Sequence, residues 1–249
     1  MIILKSEREI AGMKQAGEIL AACHQELAKL IRPGVTTWEL DEFVEQFLKE
    51  RGATPEQKGY RGYQYATCAS INDEICHGFP RKQALKDGDI VTIDMVVRYN
   101  GSLADSAWSY GVGKLSTENE KLLFVTKKAL YKGIEQALPG NRIGDIGHAI
   151  QTYAEGEGFS VVRNFIGHGI GAVIHEKPDV PHFGLPGKGA RIKEGMVFTI
   201  EPMINIGSYE SKMDSNGWTA RTIDGKNSAQ YEHTIAITKN GPIILTEQE

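Results

Sequence analysis

Cysteine is scarce: Cys23, Cys68 and Cys76 are the only three in 249 residues, and no two form a C-x-x-C pair. An odd, scattered set excludes a disulfide scaffold and a thiolate zinc site, and reduced thiols point to a reducing, cytoplasmic compartment. No run approaches the roughly 18 apolar residues that a membrane span needs. The N-terminal MIILKSEREI also lacks the apolar stretch and cleavage site of a secretory signal. Charge of one sign is missing too. Lys plus Arg is 28 and Asp plus Glu is 32, a net charge of −4, so no positive field exists to hold a nucleic-acid backbone or an anionic membrane. What remains is 41% hydrophobic and 24% charged, an ordinary globular mixture that excludes disorder, collagen and coiled coil. Glycine alone stands out. Its 28 of 249 residues are about 11%, against about 7% on average, which implies much backbone in tight turns or close to a ligand.

The chain repeats itself over about half its length. Pro33-Gly34, Leu40, Val44, Phe47 and Gly52 match Pro139-Gly140, Ile146, Ile150, Tyr153 and Gly158, all 106 positions on. Leu40, Val44 and Phe47 have the i, i+4, i+7 spacing of a helix face packed on a core. Thr36 with Glu39 forms a capping box ahead of it, and Gly52 or Gly158 suits the stop. Farther on, the segment from Lys86 to Asp94 lines up with that from Lys193 to Glu201 at an offset of 107, each a glycine turn feeding a β-branched strand that ends in a carboxylate. One such match could arise by chance; two collinear ones at nearly one offset favour duplication. Similar halves with helices outside and strands inside would pack about a pseudo-two-fold axis. Asp94 and Glu201 would then meet near that axis, where like charges repel unless protons or metal ions lie between them.

Beyond Asp94 the strand continues to Asn100-Gly101, the strongest short signal for a two-residue type I′ hairpin. Such a loop sets Tyr99 opposite Ser102 and Val96 opposite Asp105. Asp94 and Asp105 then share one face as diagonal cross-strand neighbours. The competing reading, two solvated aspartates on an exposed hairpin, loses ground because Ile90, Val91, Ile93, Met95, Val96 and Val97 make the strand almost continuously apolar, hence buried on both faces.

In the second half, Pro202 holds Glu201 extended, and a strand over 229–237 brings in Glu232. Glu232 is the counterpart of Asp105 at an offset of 127, so the connection carries an insert with turn signals at Asn216-Gly217 and Asp224-Gly225. A fifth candidate is His168, framed by Gly167 and Gly169, which leave the imidazole uncrowded and let backbone approach closely. One imidazole with four carboxylates favours Mn²⁺, Fe²⁺ or Co²⁺ over a thiolate-type zinc site.

These residues, with Cys76-His77-Gly78-Phe79-Pro80, Gly167-His168-Gly169-Ile170-Gly171, Glu201-Pro202-Met203 and Gln230-Tyr231-Glu232-His233-Thr234, stand in the order and spacing of the type I methionine aminopeptidases. The chain resembles that family over essentially its whole length. The resemblance implies the α+β pita-bread fold, with a curved antiparallel sheet inside and helices outside. It implies a single catalytic domain over 1–249, with halves of roughly 1–115 and 116–249. Two divalent ions (Co, Mn, Fe(II) or Zn) would be held by Asp94, Asp105, His168, Glu201 and Glu232. Asp105 and Glu232, one from each half, are the natural bridging carboxylates. Glu201 would also move the proton from nucleophile to leaving amine, and His77 and His175 would act on the substrate from outside the ligand sphere. Tyr60, Tyr63, Cys68 and Trp218 would line a methionine pocket with Ile174 at its edge. The implied partners are peptide and nascent-chain N-termini, met through transient ribosome association, and the expected form is a monomer.

Three positions depart from the family pattern: Arg61 where His is frequent, Ile174 for a frequent Phe, and Ser106 where Thr is usual. The first two bear on pocket shape and peptide preference. The chain also lacks a cysteine-rich N-terminal extension and the length for a type II helical insertion, which fits a compact bacterial type. Two other readings compete: an Xaa-Pro aminopeptidase or prolidase on the same fold, and a catalytically silent peptide-binding relative. The former usually carries a separate N-terminal domain, whereas here the first repeat's helices begin within the first dozen residues; the latter typically lacks one or more ligands, and all five are present.

Overall fold

The computed structural model describes residues 1–248. Its first half runs α1 (Glu7–Leu30), α2 (Thr37–Glu50), β1 (Thr54–Pro55), β2 (Cys68–Ile71), β3 (Glu74–Cys76), β4 (Ile90–Tyr99) and β5 (Ser102–Gly111). The second runs α3 (Thr117–Ile134), α4 (Ile143–Gly156), β6 (Ser160–Val161), β7 (Gly167–Gly169), β8 (Glu176–Val180), β9 (Val197–Ile200), β10 (Met203–Asn205), β11 (Ser211–Met213), β12 (Ala220–Thr222), β13 (Ser228–Gln230), β14 (His233–Thr238) and β15 (Gly241–Ile244).

Two of the segments that match in sequence also fold alike. α2 and α4 are both 14 residues long and start 106 positions apart. Ahead of α2, the Thr36 N–H donates to Glu39 Oε2 at 2.8 Å and the Glu39 N–H donates to Thr36 Oγ1 at 3.1 Å, the capping box expected there. Asp145 does the same work for α4, accepting from the Arg142 N–H at 2.7 Å. Gly52 and Gly158 follow the two helices at φ 68° and 89°, left-handed stops that a Cβ would make costly.

Strand pairing in the named sheets is antiparallel throughout the described residues. The Asn100-Gly101 turn, with φ of 48° and 82°, sets β4 against β5 so that Tyr99 faces Ser102, Val96 faces Asp105 and Asp94 faces Ala107. That is the register expected from the turn, and it puts Asp94 and Asp105 on one face. β4 is buried except at Asp94, Arg98 and Tyr99, which are half-buried.

The second half departs from expectation in one respect. A single strand over 229–237 was expected, but it is interrupted at Tyr231-Glu232, between β13 and β14. The physical reason is that its hydrogen bonds turn toward the other half: the Glu232 N–H donates to the Ala107 carbonyl at 2.8 Å, and the Gln230 N–H donates to Ser109 Oγ at 3.0 Å. A matching break separates β9 from β10 at Glu201-Pro202. Proline has no N–H to give a ladder, and the Glu201 N–H donates instead to His182 Nε2 at 3.1 Å.

Each helix pair covers its own core. Leu20, Leu27, Leu40, Val44 and Leu48 pack on Val91, Ile93 and Met95, while Leu122, Val125, Ile146 and Ile150 pack on Phe198, Ile200 and Ile235. A smaller cluster of Met13, Val96, Leu103, Ile174, Val197 and Ala236 joins the halves. No helix among the described residues is long and apolar enough to cross a membrane, and the three cysteines are free and buried.

Candidate metal centre and substrate cavity

A cavity of about 340 Å³ opens over the seam, and Asp94, Asp105, His168, Glu201 and Glu232 all line it. Each arrives from a different strand or strand break: β4, β5, β7, the β9–β10 break and the β13–β14 break. Ligand-capable atoms of Asp105, His168 and Glu232 lie within 4.8 Å of one another. His168 Nε2 is 3.6 Å from Asp105 Oδ2 and 3.6 Å from Glu201 Oε1.

Among the described residues no lysine or arginine is paired with any of these four carboxylates, and their proton affinities respond. Burial pushes Asp94 up to about 7. Glu201 rises to about 8, chiefly by burial and further by Asp94, against the lowering effect of a hydrogen bond from Thr199. Asp105 and Glu232 are driven well above the usual carboxylate range, first by burial and then by the neighbouring acids. Burial, aided by His175, lowers His168 to about 4, so the imidazole is neutral and free to ligate.

Supporting contacts that the sequence did not disclose hold this set in place. Thr199 Oγ1 donates to Glu201 Oε1 at 2.7 Å and accepts the His168 N–H at 3.0 Å, tying two candidate ligands to one hydroxyl. His182, fully buried, accepts the Glu201 N–H. Gln57 spans the edge of β4, its Nε2 donating to the Asp94 carbonyl at 3.0 Å while its Oε1 accepts the Val96 N–H. None of the three carries a local signal, because each acts through a contact distant in sequence. The glycines around His168 serve strand packing more than ring clearance: a Cβ on Gly167 would stand 2.5 Å from the Thr199 carbonyl oxygen, and one on Gly169 2.3 Å from that of Lys177.

The remaining candidates also line the cavity, at two depths. Tyr63 and Cys68 are buried, with Cys76 and Met203 beside them. Trp218 reaches them from the inserted hairpin β11–β12, because β12 pairs with β3; its ring meets Tyr63 edge-on at 5.0 Å and His77 at 6.3 Å. Burial, with some help from His175, lowers His77 to about 4. Nearer solvent, the Tyr60 hydroxyl is 3.0 Å from His175 Nδ1, and Ile174 is buried behind it. His175 is itself lowered, by burial and then by Arg61. Ser106, the third departure, lies away from the cavity and donates from Oγ to the Glu232 carbonyl at 3.1 Å. His24 and His233 are buried in hydrogen-bonded packing with Tyr110 and with Thr246.

The sequence matches the description of metallopeptidase family M24 over residues 11–239. The chain belongs to that family. It is 52% identical over 246 residues to methionine aminopeptidase 1 of Bacillus subtilis (strain 168), with 99% of each chain covered. A crystal structure of methionine aminopeptidase from Rickettsia prowazekii is similar at a TM-score of 0.98 and 42% identity, covering 99% of this chain and 100% of that one. The prolidase from Pyrococcus horikoshii OT3 is similar at a TM-score of 0.81 and 26% identity, but this chain accounts for only 65% of its length. The architecture is the α+β pita-bread fold.

Membership of a metallopeptidase family implies divalent metal, and the donors here fit one. Asp105 Oδ1 and Glu232 Oε1 are buried with no hydrogen-bond partner, a state that costs about 1–3 kcal/mol or more per group unless something else satisfies it. Both atoms belong to the candidate bridging carboxylates. An oxygen-rich set with one neutral imidazole is the donor chemistry of a hard or borderline dication.

Proposed function

We propose that this M24 metallopeptidase removes the N-terminal methionine from polypeptides, preferring a small second residue. One observation carries the reading: the acidic cluster and a buried apolar wall of Tyr63, Cys68 and Met203 face the same cavity. An apolar, polarisable first side chain can occupy that wall while its peptide bond lies over the carboxylates. Likeness over nearly full length to methionine aminopeptidases supports it. The prolidase alternative is not favoured, because that relative is matched over only 65% of its chain. A silent binding module is disfavoured by the presence of all five candidate ligands.

In this reading the whole chain is one catalytic unit. Its halves, roughly 1–115 and 116–249, would each contribute carboxylates to hold a pair of divalent ions. Asp105 and Glu232 would bridge, Asp94 would complete one site, and His168 with Glu201 the other. Bound there, the ions supply water activation at neutral pH and polarisation of the scissile carbonyl. Glu201, which faces the cavity with its Oε1 held by the Thr199 hydroxyl, is placed to carry a proton from nucleophile to leaving amine. When the Tyr60 hydroxyl donates to His175 Nδ1, Nε2 keeps its hydrogen and can donate to the carbonyl oxygen as negative charge develops. His77, beside Trp218, would contact the substrate from the other side. The chain acts as a cytoplasmic monomer on nascent N-termini, with transient ribosome association.

The test is an assay on Met-Xaa peptides after chelation and stepwise return of Mn²⁺, Fe²⁺, Co²⁺ or Zn²⁺. The expected result is turnover only with metal, and only where Xaa is small. Preference for Ala-Pro peptides over Met-Ala-Ser would overturn the assignment, and the absence of both metal uptake and turnover would favour a binding module.

A further inference from the structure

An exopeptidase places its substrate asymmetrically. If the first side chain occupies the buried wall, every later residue leaves through the mouth, where Arg61 and His175 are exposed. The backbone holds Arg61 there on purpose-built geometry. Its φ is 48°, between Gly59 at 95° and Gly62 at 86°, and left-handed backbone at a residue with a long side chain is an uncommon, mildly strained state. Hydrogen bonds pin the loop: the Gly59 N–H donates to the Tyr63 carbonyl at 2.6 Å and the Tyr63 N–H to the Tyr60 carbonyl at 2.9 Å. The guanidinium lies 5.3 Å over the Tyr60 ring, whose hydroxyl in turn meets His175. Apart from imidazoles, Arg61 is the one cationic side chain on the cavity lining. Neighbouring cations are engaged, Lys58 with Glu45 and Arg98 with Glu56, whereas Arg61 has no ion pair among the described residues.

Resting on the methionine-removal reading, we propose that Arg61 is a specificity-determining residue, a fixed guanidinium at the cavity mouth that favours peptides with an acidic side chain at the third or fourth position. The scissile bond and the first two residues are governed by the wall and the carboxylate cluster; the cation acts on what emerges. An exposed charge of this kind acts weakly and is screened by salt.

The measurement is kcat/KM of the metal-loaded protein on C-terminally amidated Met-Ala-Asp-Ser, Met-Ala-Ala-Ser and Met-Ala-Lys-Ser. At low ionic strength the expected order is Asp, then Ala, then Lys, with roughly three- to fivefold between the extremes, shrinking in 0.5 M salt. R61N keeps a residue that tolerates left-handed backbone and should flatten the ratio of the Asp to the Lys peptide; R61D should invert it. Equal rates on the three peptides in the wild type, or an unchanged ratio in R61N, would overturn the role of Arg61 while leaving methionine removal intact. Failure to cleave Met-Ala-Ala-Ser at all would overturn the activity itself, and the inference with it.

Discussion

The Glu232 N–H donates to the Ala107 carbonyl at 2.8 Å, so a strand break in one half is completed by the hairpin of the other. Around it, Ser106 Oγ donates to the Glu232 carbonyl, the Asp105 N–H donates to Thr234 Oγ1 at 3.0 Å, and Thr234 Oγ1 donates to the Asp105 carbonyl at 2.7 Å. The two candidate bridging acids are therefore fixed by one network of backbone and hydroxyl groups across the seam. Their carboxylates point into the cavity while their main chains hold the halves together. The separation of tasks has consequences for substitution.

Asp105→Asn keeps volume and main-chain bonds but removes a charge that metal needs. Activity on Met-Ala-Ser should fall by more than about 100-fold and metal affinity should weaken, while circular dichroism stays near wild type and the metal-free variant melts no lower than wild type, because it loses a buried ionisation. Near-native turnover would show that Asp105 is not a ligand.

Chelated protein should be penalised by its own acids as pH rises. Glu201 keeps its proton up to about pH 8 when folded but loses it near 4.3 when unfolded. Its contribution to stability is complete below the lower value and is lost as pH climbs through the upper one. Glu201→Gln removes that ionisation cost and leaves the buried histidines unchanged. The metal-free variant should match wild type near pH 4 and exceed it in Tm by on the order of 5–10 °C at pH 9. Thermal melts in EDTA across that range give the answer, and an advantage that shrinks with rising pH would refute the shifted carboxyl.

Thr199→Val is nearly isosteric, yet it strips the donor from Glu201 and the acceptor from the His168 N–H. Loss of such an outer partner weakens metal binding by roughly 10–100-fold. Calorimetric titration with Mn²⁺ measures it. Unchanged affinity with normal folding would show that the hydroxyl plays no part in holding the ligands.

How much was legible beforehand depended on how locally each feature is encoded. The Asn100-Gly101 turn, the Thr36 capping box and the glycine stops are written in a few adjacent residues, and the register of Asp94 against Asp105 follows from the turn alone. Duplication carried that logic to Glu201 and Glu232. It failed where the halves differ: the break at Tyr231-Glu232 arises because Glu232 bonds to β5 rather than continuing its own ladder. Thr199, His182 and Gln57 were invisible for a related cause, since each supports a candidate ligand through an atom brought near only by the finished fold. The close backbone approach expected of the glycines beside His168 is present, against the carbonyls of Thr199 and Lys177.

The most direct test of a shared metal centre built from both halves is anomalous diffraction from crystals of the Mn²⁺-loaded protein. Two peaks are predicted in the cavity, each within bonding reach of both Asp105 and Glu232, with Asp94 beside one and His168 and Glu201 beside the other. Peaks confined to the outer surface, or none between the two bridging acids, would contradict it.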